Sequence, residues 1–276
     1  MVESRRFPAT VWAIALGLAV IAAGSVPWSA LAALNVRYGA SFPWASVAMA
    51  VYLYAFLKYL QGSGPPVSTT ATRRRLLRAR GLTHLEWRWA LVAGGSANAA
   101  LAAVFILVSR FGWIHHGPIR LPVAPWWTIA AWLLISAAVA GIAEECGFRG
   151  YMQKLLEERF RPAAAIAIAS VIFGAIHLSH GLSLAILFDA AWGAVYGVLA
   201  YLTGSILPSI VLHSSLDALE FFLAWRFAVG RFAGVPAPPV VTLDSPAWFA
   251  LGGAAVLSIL AVWSFRRLSR LHHSHA

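Results

Sequence analysis

Two adjacent glutamates, Glu144 and Glu145, and an arginine, Arg149, lie inside an apolar run that begins at Trp126. A carboxylate at membrane depth costs on the order of a few kcal/mol or takes up a proton, so acids in such runs are functional-site candidates. Neighbouring helical residues point about 100° apart, whereas residues four apart share a face. We therefore expect Glu145 to pair with Arg149, which leaves Glu144 available for chemistry as a base.

Histidines and further acids lie in three later apolar runs. His177 lies in one of them, and His213 lies in another with Asp217 four residues later on the same helical face. An acid beside a histidine can fix its tautomer and raise its basicity. Counted from the expected cytoplasmic edge, Glu144 lies about 18 Å deep, His177 about 22 Å and His213 about 12 Å. His213 is therefore expected to meet the other two only if its helix is tilted or starts deeper.

The composition indicates a membrane protein. Of 276 residues, 60% are hydrophobic and 11% are charged, and the mean hydropathy is +0.74. A soluble domain would carry about a quarter charged residues. The net charge of +11 would suit a nucleic-acid binder, but the bases cluster between apolar runs, so we expect no nucleic-acid partner. The single cysteine, Cys146, excludes an internal disulfide and a cysteine-based zinc site.

Eight apolar runs are long enough, or nearly so, to cross a bilayer of roughly 30 Å. They cover approximately 10–34, 43–60, 90–111, 125–156, 163–180, 182–202, 205–228 and 247–265. These runs predict an all-α polytopic bundle of about eight transmembrane helices around an intramembrane polar cavity. We expect one membrane domain over 1–276, with variable helices in 1–120, a catalytic core in 125–220, and a last helix and basic tail in 247–276.

Four basic clusters predict the orientation of the chain. With eight spans they all fall on one side, so the positive-inside rule places both termini in the cytoplasm, with the protein in the plasma or inner membrane. The first span could also be a cleavable signal peptide, but its apolar stretch is unusually long and its removal would break the charge alternation. The clusters are Arg5 and Arg6; Arg73, Arg74, Arg75, Arg78, Arg80 and Arg88; Lys154, Arg159 and Arg161; and Arg266, Arg267 and Arg270.

Three short motifs occur in order on separate predicted helices. They are Glu-Glu-x-x-x-Arg ending at Arg149, Phe-x-x-x-His from Phe173 to His177, and His-x-x-x-Asp from His213 to Asp217. Over roughly 125–220, this order resembles the CAAX-protease and bacteriocin-processing (CPBP, or Abi) intramembrane proteases. The link between the second and third motifs, GAVYGVLAYLTGSILPSIVLH from Gly193, also looks like that family.

The resemblance implies an eight-helix endopeptidase whose site opens within the bilayer, with a membrane protein or peptide as substrate. It implies that Glu144 and His177 activate water and that His213 with Asp217 stabilises the oxyanion. Glu145 and Arg149 would hold the site together.

The resemblance leaves two points open. Two histidines and a glutamate can hold zinc, but His-Glu-x-x-His is absent, so zinc remains an open possibility. Asp217 stands where prenyl-protein-processing members usually carry asparagine, which weakens an inference to CAAX substrates. The composition, rich in alanine and arginine, looks bacterial.

Two rival hypotheses come from other classes of protein. In a membrane immunity or scaffold protein, the polar cluster would only hold helices together. In a transporter, the carboxylates would relay protons. No paired broken helices or symmetry between halves are visible in the sequence, which ranks the transporter last.

Overall fold

The computed structural model describes residues 6–114, 121–180, 184–227 and 244–274. The α-helices in these ranges are α1 (Arg6–Gly39), α2 (Trp44–Leu60), α3 (Thr70–Leu77), α4 (His84–Arg110), α5 (Trp126–Glu145), α6 (Gln153–Glu157), α7 (Pro162–Ile176), α8 (Ala185–Thr203), α9 (Leu207–Phe227) and α10 (Ser245–Ser274). A π-helix, Cys146–Met152, joins α5 to α6, and a 3₁₀ turn, His177–His180, follows α7. No strand occurs in the described ranges, which confirms the all-α class.

Six of these helices are long and apolar enough to cross a membrane within the described residues. The six spans are Pro8–Gly39, His84–Arg110, Trp126–Glu157, Ala185–Thr203, Leu207–Phe227 and Ser245–His272. Two expected spans correspond to shorter apolar helices, Trp44–Leu60 and Pro162–Ile176. The chain is therefore a multi-pass helical membrane protein, and the count of eight crossings stays a prediction. Many large apolar side chains face outward, as lipid contact requires, among them Val51, Leu134, Val171, Leu187 and Val262.

Local sequence signals begin and end several helices. Thr83 and Glu86 form a capping box at the start of α4, in which each side chain bonds the other residue's backbone N–H. Pro162 occupies the first turn of α7, where its missing N–H has no helical partner to lose. Gly204 ends α8 in the left-handed region, with φ of +60°.

The basic segment between α2 and α4 folds back under the bundle. Arg73 is buried, bonds the carbonyls of Ser63 and Gly64 at 2.9 and 2.8 Å, and lies over the Tyr59 ring. Arg78 forms a buried ion pair with Glu157 at 3.0 Å. Part of this arginine cluster thus holds the fold together, in addition to any role in orientation. Arg5, which belongs to the first of the four basic clusters, lies outside the described residues.

The same segment covers the start of α9. The backbone of Ala79 pairs with that of Ser205, and Ser205 Oγ donates to the Arg80 carbonyl at 2.9 Å. The backbone N–H of Ile206 donates to the Arg78 carbonyl at 3.0 Å. Residues 78–80 therefore pack against the start of α9.

Candidate active site

The two glutamates end α5, and the helix then changes type. Glu145 is the last residue of α5, and the π-helix Cys146–Met152 follows without a break. This segment is pressed closely between neighbours. A Cβ on Gly147 would lie 2.3 Å from the Ile21 side chain and 2.6 Å from the Gly17 carbonyl oxygen of α1. π-helical turns inside α-helices are rare and frequently mark functional sites.

Glu145 is the centre of a fully buried ion cluster. Its Oε1 accepts a hydrogen bond from Arg149 Nη1 at 2.8 Å and lies 2.9 Å from His213 Nδ1. Glu145 and Arg149 are at most 1% exposed, and His213 is 6% exposed. The expected pair forms although the intervening backbone is π-helical. The contact with His213, which joins α5 to α9, does not follow from any spacing in the sequence.

Arg149 connects this cluster to α8. Its Nη2 donates to the Gly193 carbonyl at 2.9 Å, and its guanidinium lies 4.5 Å from the Phe173 ring centroid and 5.4 Å from that of Tyr196. One turn later, Gln153 Nε2 donates to the Gly197 carbonyl at 3.0 Å. The two glycines of a G-x-x-x-G pattern therefore expose backbone carbonyls to side chains of the π-helix and α6.

Glu144 and Asp217 face the other nitrogen of His213. Nε2 lies 3.9 Å from Glu144 Oε2 and 3.7 Å from Asp217 Oδ2, both longer than a hydrogen bond. Glu144 Oε2 is buried and has no hydrogen-bond partner within the described residues. A buried carboxylate oxygen without a partner is costly unless water, a proton or a ligand completes it.

His177 joins the cluster through an aromatic ring. Its Nδ1 lies 2.8 Å from the Phe173 carbonyl, so the Nδ1–H tautomer satisfies that contact and leaves Nε2 as the basic nitrogen. The Phe173 ring lies 5.0 Å from the His177 ring and 5.9 Å from the His213 ring, between centroids. The expected partnership of His177 with Glu144 stays a prediction.

Three carboxyl groups surround His213. Glu144 and Asp217 face its Nε2, Glu145 bonds its Nδ1, and Arg149 bonds Glu145. Burying acids costs free energy unless they are paired or hydrogen-bonded, so their concentration at one histidine marks this place as a functional-site candidate.

The donor set does not match a metal centre. Within the described ranges, no three histidine, cysteine, aspartate or glutamate side chains gather as a metal-binding group. Glu144, His177 and His213, the set that could have held zinc, therefore do not fit that ion as they are placed here.

A cavity of about 250 Å³ lies between α1, α5 and α9. Its walls are largely apolar, and two of its lining residues bond each other, because Trp28 Nε1 donates to Ser136 Oγ at 2.9 Å. Ser136 is two helical turns before Glu144, and Phe221 is one turn after Asp217, so the cavity borders the faces that carry those two acids. The lining residues are Trp28, Ala32, Val36, Leu121, Pro122, Trp132, Leu133, Ser136 and Phe221.

Sequence reasoning missed three residues beside the cluster. Tyr196 stacks on His213, Asn98 bonds Tyr196, and Gln153 follows Arg149 by one turn. One signal for Gln153 was present in the sequence: Arg149 and Gln153 are four residues apart, as are Gly193 and Gly197, whose carbonyls they bond. Asn98 lies between two alanines, with Ser96 two positions before it, and this pattern does not indicate Tyr196 as its partner.

The fold and the cluster define a multi-pass membrane protein in which carboxyl, imidazole and guanidinium groups meet between the helices. Residues 125–219 match the family described as Type II CAAX prenyl endopeptidase Rce1-like. The match covers about a third of the chain and confirms the family resemblance inferred from the three motifs. The family indicates a protease in general terms. No curated protein and no solved structure matches the chain.

Proposed function

We propose that this protein is an intramembrane endopeptidase that hydrolyses a peptide bond near or within the membrane. The observation that carries the proposal is the cluster of Glu144, Glu145, Asp217 and Arg149 around His213, inside helices long enough to span a bilayer. Glu144 Oε2, which has no hydrogen-bond partner within the described part of the chain, offers an acceptor for a water molecule at this cluster.

Glu144 is the proposed general base. It takes a proton from a water molecule, whose oxygen attacks the carbonyl carbon of the scissile bond, with His177 assisting. When the carbon–nitrogen bond breaks, the protonated Glu144 returns that proton to the leaving amine.

His213 and Asp217 are the proposed stabilisers of the tetrahedral oxyanion. With Nδ1 directed to Glu145, His213 presents Nε2 to the gap between Glu144 and Asp217. A proton on Nε2 would be donated to an oxyanion formed in that gap, and oriented donors of this kind supply large rate effects. Arg149 and Glu145 hold this geometry without touching the substrate.

The wider assignments follow from this role. The proposed substrate is a membrane protein or peptide, and residues 125–220 are the proposed catalytic core of a single membrane domain. Both termini are proposed to lie in the cytoplasm, because the basic clusters fall on one side. Prenylated CAAX peptides belong among the substrates to test, since the matched family is described by them.

Purified protein incubated with a membrane-peptide library tests the proposal. Wild type should cleave, Glu144→Gln should not, and the matched variant Glu220→Gln, an exposed glutamate on α9, should cleave as wild type does. The library should include prenylated and unprenylated CAAX peptides. A chelator should leave the rate unchanged. Loss of cleavage with the chelator, reversed by zinc, would contradict the metal-free chemistry proposed here.

A scaffold or immunity protein is the second candidate, and one observation favours it. Arg149 is fully engaged with Glu145, Gly193 and aromatic rings, as a structural ion pair would be. On that account, Glu144→Gln leaves the biological phenotype intact, while Glu145→Ala or Arg149→Ala unfolds the protein. Cleavage that depends on Glu144 would exclude it.

A further inference from the structure

The His213 ring is held on its face as well as through its nitrogen. The Tyr196 ring lies 5.1 Å from the His213 ring, centroid to centroid, with an angle of 16° between the planes. The Phe173 ring meets His213 edge-on at 5.9 Å and 64°. Since Nδ1 is also bonded to Glu145, both the position and the plane of the imidazole are constrained.

Tyr196 is itself fixed by two other helices. Asn98 Nδ2, on α4, donates to the Tyr196 hydroxyl at 3.1 Å. Ser209 Oγ, one turn before His213 on α9, donates to the Tyr196 backbone carbonyl at 3.1 Å. Tyr196 is 1% exposed and Asn98 is 5% exposed, so solvent does not compete for these bonds.

A glycine on α4 allows Asn98 to reach this position. Gly94 is one turn before Asn98, and a Cβ there would lie 2.3 Å from the Leu212 side chain and 2.7 Å from that of Leu199. The absence of a side chain at Gly94 therefore lets α4 approach α8 and α9 closely. The bond from Asn98 to Tyr196 crosses the same α4–α8 contact.

We propose that Tyr196, held by Asn98, is a positioning residue that sets the plane of the His213 imidazole. Nε2 lies 3.9 Å from Glu144 and 3.7 Å from Asp217, so a small ring rotation would close one distance into a hydrogen bond and open the other. Stacking on Tyr196 opposes that rotation and keeps Nε2 directed between the two acids. The catalytic consequence rests on the proposed protease function. Asn98 extends the site to α4, outside the matched segment 125–219.

A kinetic test separates the effect of the Tyr196 ring from that of its hydroxyl group. Tyr196→Phe keeps the stacked ring and loses the bond to Asn98, so kcat should fall about fivefold, the rate equivalent of one net hydrogen bond. Tyr196→Leu also loses the stacked face, so kcat should fall by a further factor of about two to ten. KM should change less than about twofold in both, because a positioning defect acts on the transition state. Tyr201→Phe, on the same helix but beside His272, should match wild type.

A second measurement reports the imidazole directly and needs no cleavage. Nuclear magnetic resonance of isotope-labelled histidine side chains, in protein reconstituted into bilayers, shows the protonation and hydrogen bonding of each ring. The His213 signal is identified by its loss in His213→Gln. It should shift in Tyr196→Leu and in Asn98→Leu and stay in place in Tyr201→Phe.

Two results would overturn the inference. One is an unshifted His213 signal in folded Tyr196→Leu and Asn98→Leu, and the other is an effect confined to KM. If Tyr196→Leu does not fold, Tyr196→Phe and Asn98→Ser carry the same comparison with smaller changes. Absence of cleavage by wild type would refute the protease function, while the resonance measurement would still decide the role of Tyr196.

Discussion

At the residue scale, Arg149 is the side chain on which the buried cluster most depends. One guanidinium bonds Glu145 and the Gly193 carbonyl through different nitrogens. Arginine presents donors in a planar fork, whereas lysine offers a single point charge. We infer that the fork, as well as the charge, is required at this position.

Replacement of Arg149 tests this requirement. Arg149→Ala leaves Glu145 buried without its cation, which should lower the free energy of unfolding by about 3–5 kcal/mol. Arg149→Lys should lower it less, because the charge remains and one hydrogen bond is lost. Thermal unfolding in detergent, followed by circular dichroism, measures both. Arg266→Ala, at an exposed position on α10, should change stability by less than about 0.5 kcal/mol. A wild-type melting temperature for Arg149→Ala would contradict the assignment.

The sequence was enough to predict a contact within one stretch of helix, but the contacts between residues of different helices were missed. The spacing of Glu145 and Arg149 was enough to predict their ion pair. Their contact with His213, and the contact of Tyr196 with that ring, depend on how α5, α8 and α9 are placed against each other. A single sequence carries no register between helices, so these contacts could not be predicted.

At the element scale, α5 and α9 touch at a position where no side chain fits. A Cβ on Gly141 would lie 2.1 Å from Ser214 Oγ and 2.8 Å from the Ser214 backbone nitrogen. Gly141 and Ser214 are within one turn of Glu144 and His213, respectively. The approach of these helices therefore sets the distances in the candidate site.

Gly141→Ala should force the two helices apart. Overpacking of this kind costs about 1–3 kcal/mol of stability, and cleavage should fall because Glu144 moves away from His213. Gly253→Ala is the matched control, since a Cβ there meets nothing within 4 Å and alanine favours helix. Melting temperatures and cleavage rates of the two variants decide the point. Equal behaviour of the two would show that the contact is not tight.

The ion pair between α4 and the start of α10 should respond to pH. Both nitrogens of the Arg110 fork bond Asp244, at 2.9 and 2.7 Å, and this bond lowers the Asp244 pKa to about 2. Because the pKa of this carboxyl group is lower in the folded protein than in the unfolded chain, the ion pair stabilises the fold at pH values above the ordinary carboxyl pKa. That stabilisation is lost as the pH falls through the folded-state pKa. The melting temperature of Asp244→Asn should be below wild type at about pH 7 and should converge on it between about pH 4 and 2. A gap independent of pH would contradict this account.

Counting residues along a helix could not give the position of that helix relative to its neighbours. It placed His213 too shallow to meet Glu144 unless α9 is tilted or starts deeper than the membrane edge. In the structure, residues 78–80 pack against the start of α9, and Nε2 of His213 lies 3.9 Å from Glu144. The π-helical turn after Glu145 was also unpredicted, since its residue types do not distinguish it from an α-helix.

At the scale of the whole molecule, the proposed orientation in the membrane rests on the distribution of the basic residues. Cys146 is the single cysteine and is fully buried, so it should give little background in labelling experiments. Ser41 lies shortly before α2, Ser68 lies in the 3₁₀ turn Val67–Thr69 between α2 and α3, and both are exposed. In intact cells, an impermeant maleimide should label Ser41→Cys and not Ser68→Cys, and cell lysis should make both reactive. The reverse pattern would invert the proposed topology.

The central claim is that Glu144 activates water for peptide hydrolysis. Its most direct test is cleavage in heavy-oxygen water, with mass spectrometry of the products of wild type, Glu144→Gln and Glu220→Gln. Wild type and Glu220→Gln should yield peptides with heavy oxygen in the new carboxyl group, and Glu144→Gln should yield none above the uncatalysed level. Cleavage by Glu144→Gln at the wild-type rate would contradict the account.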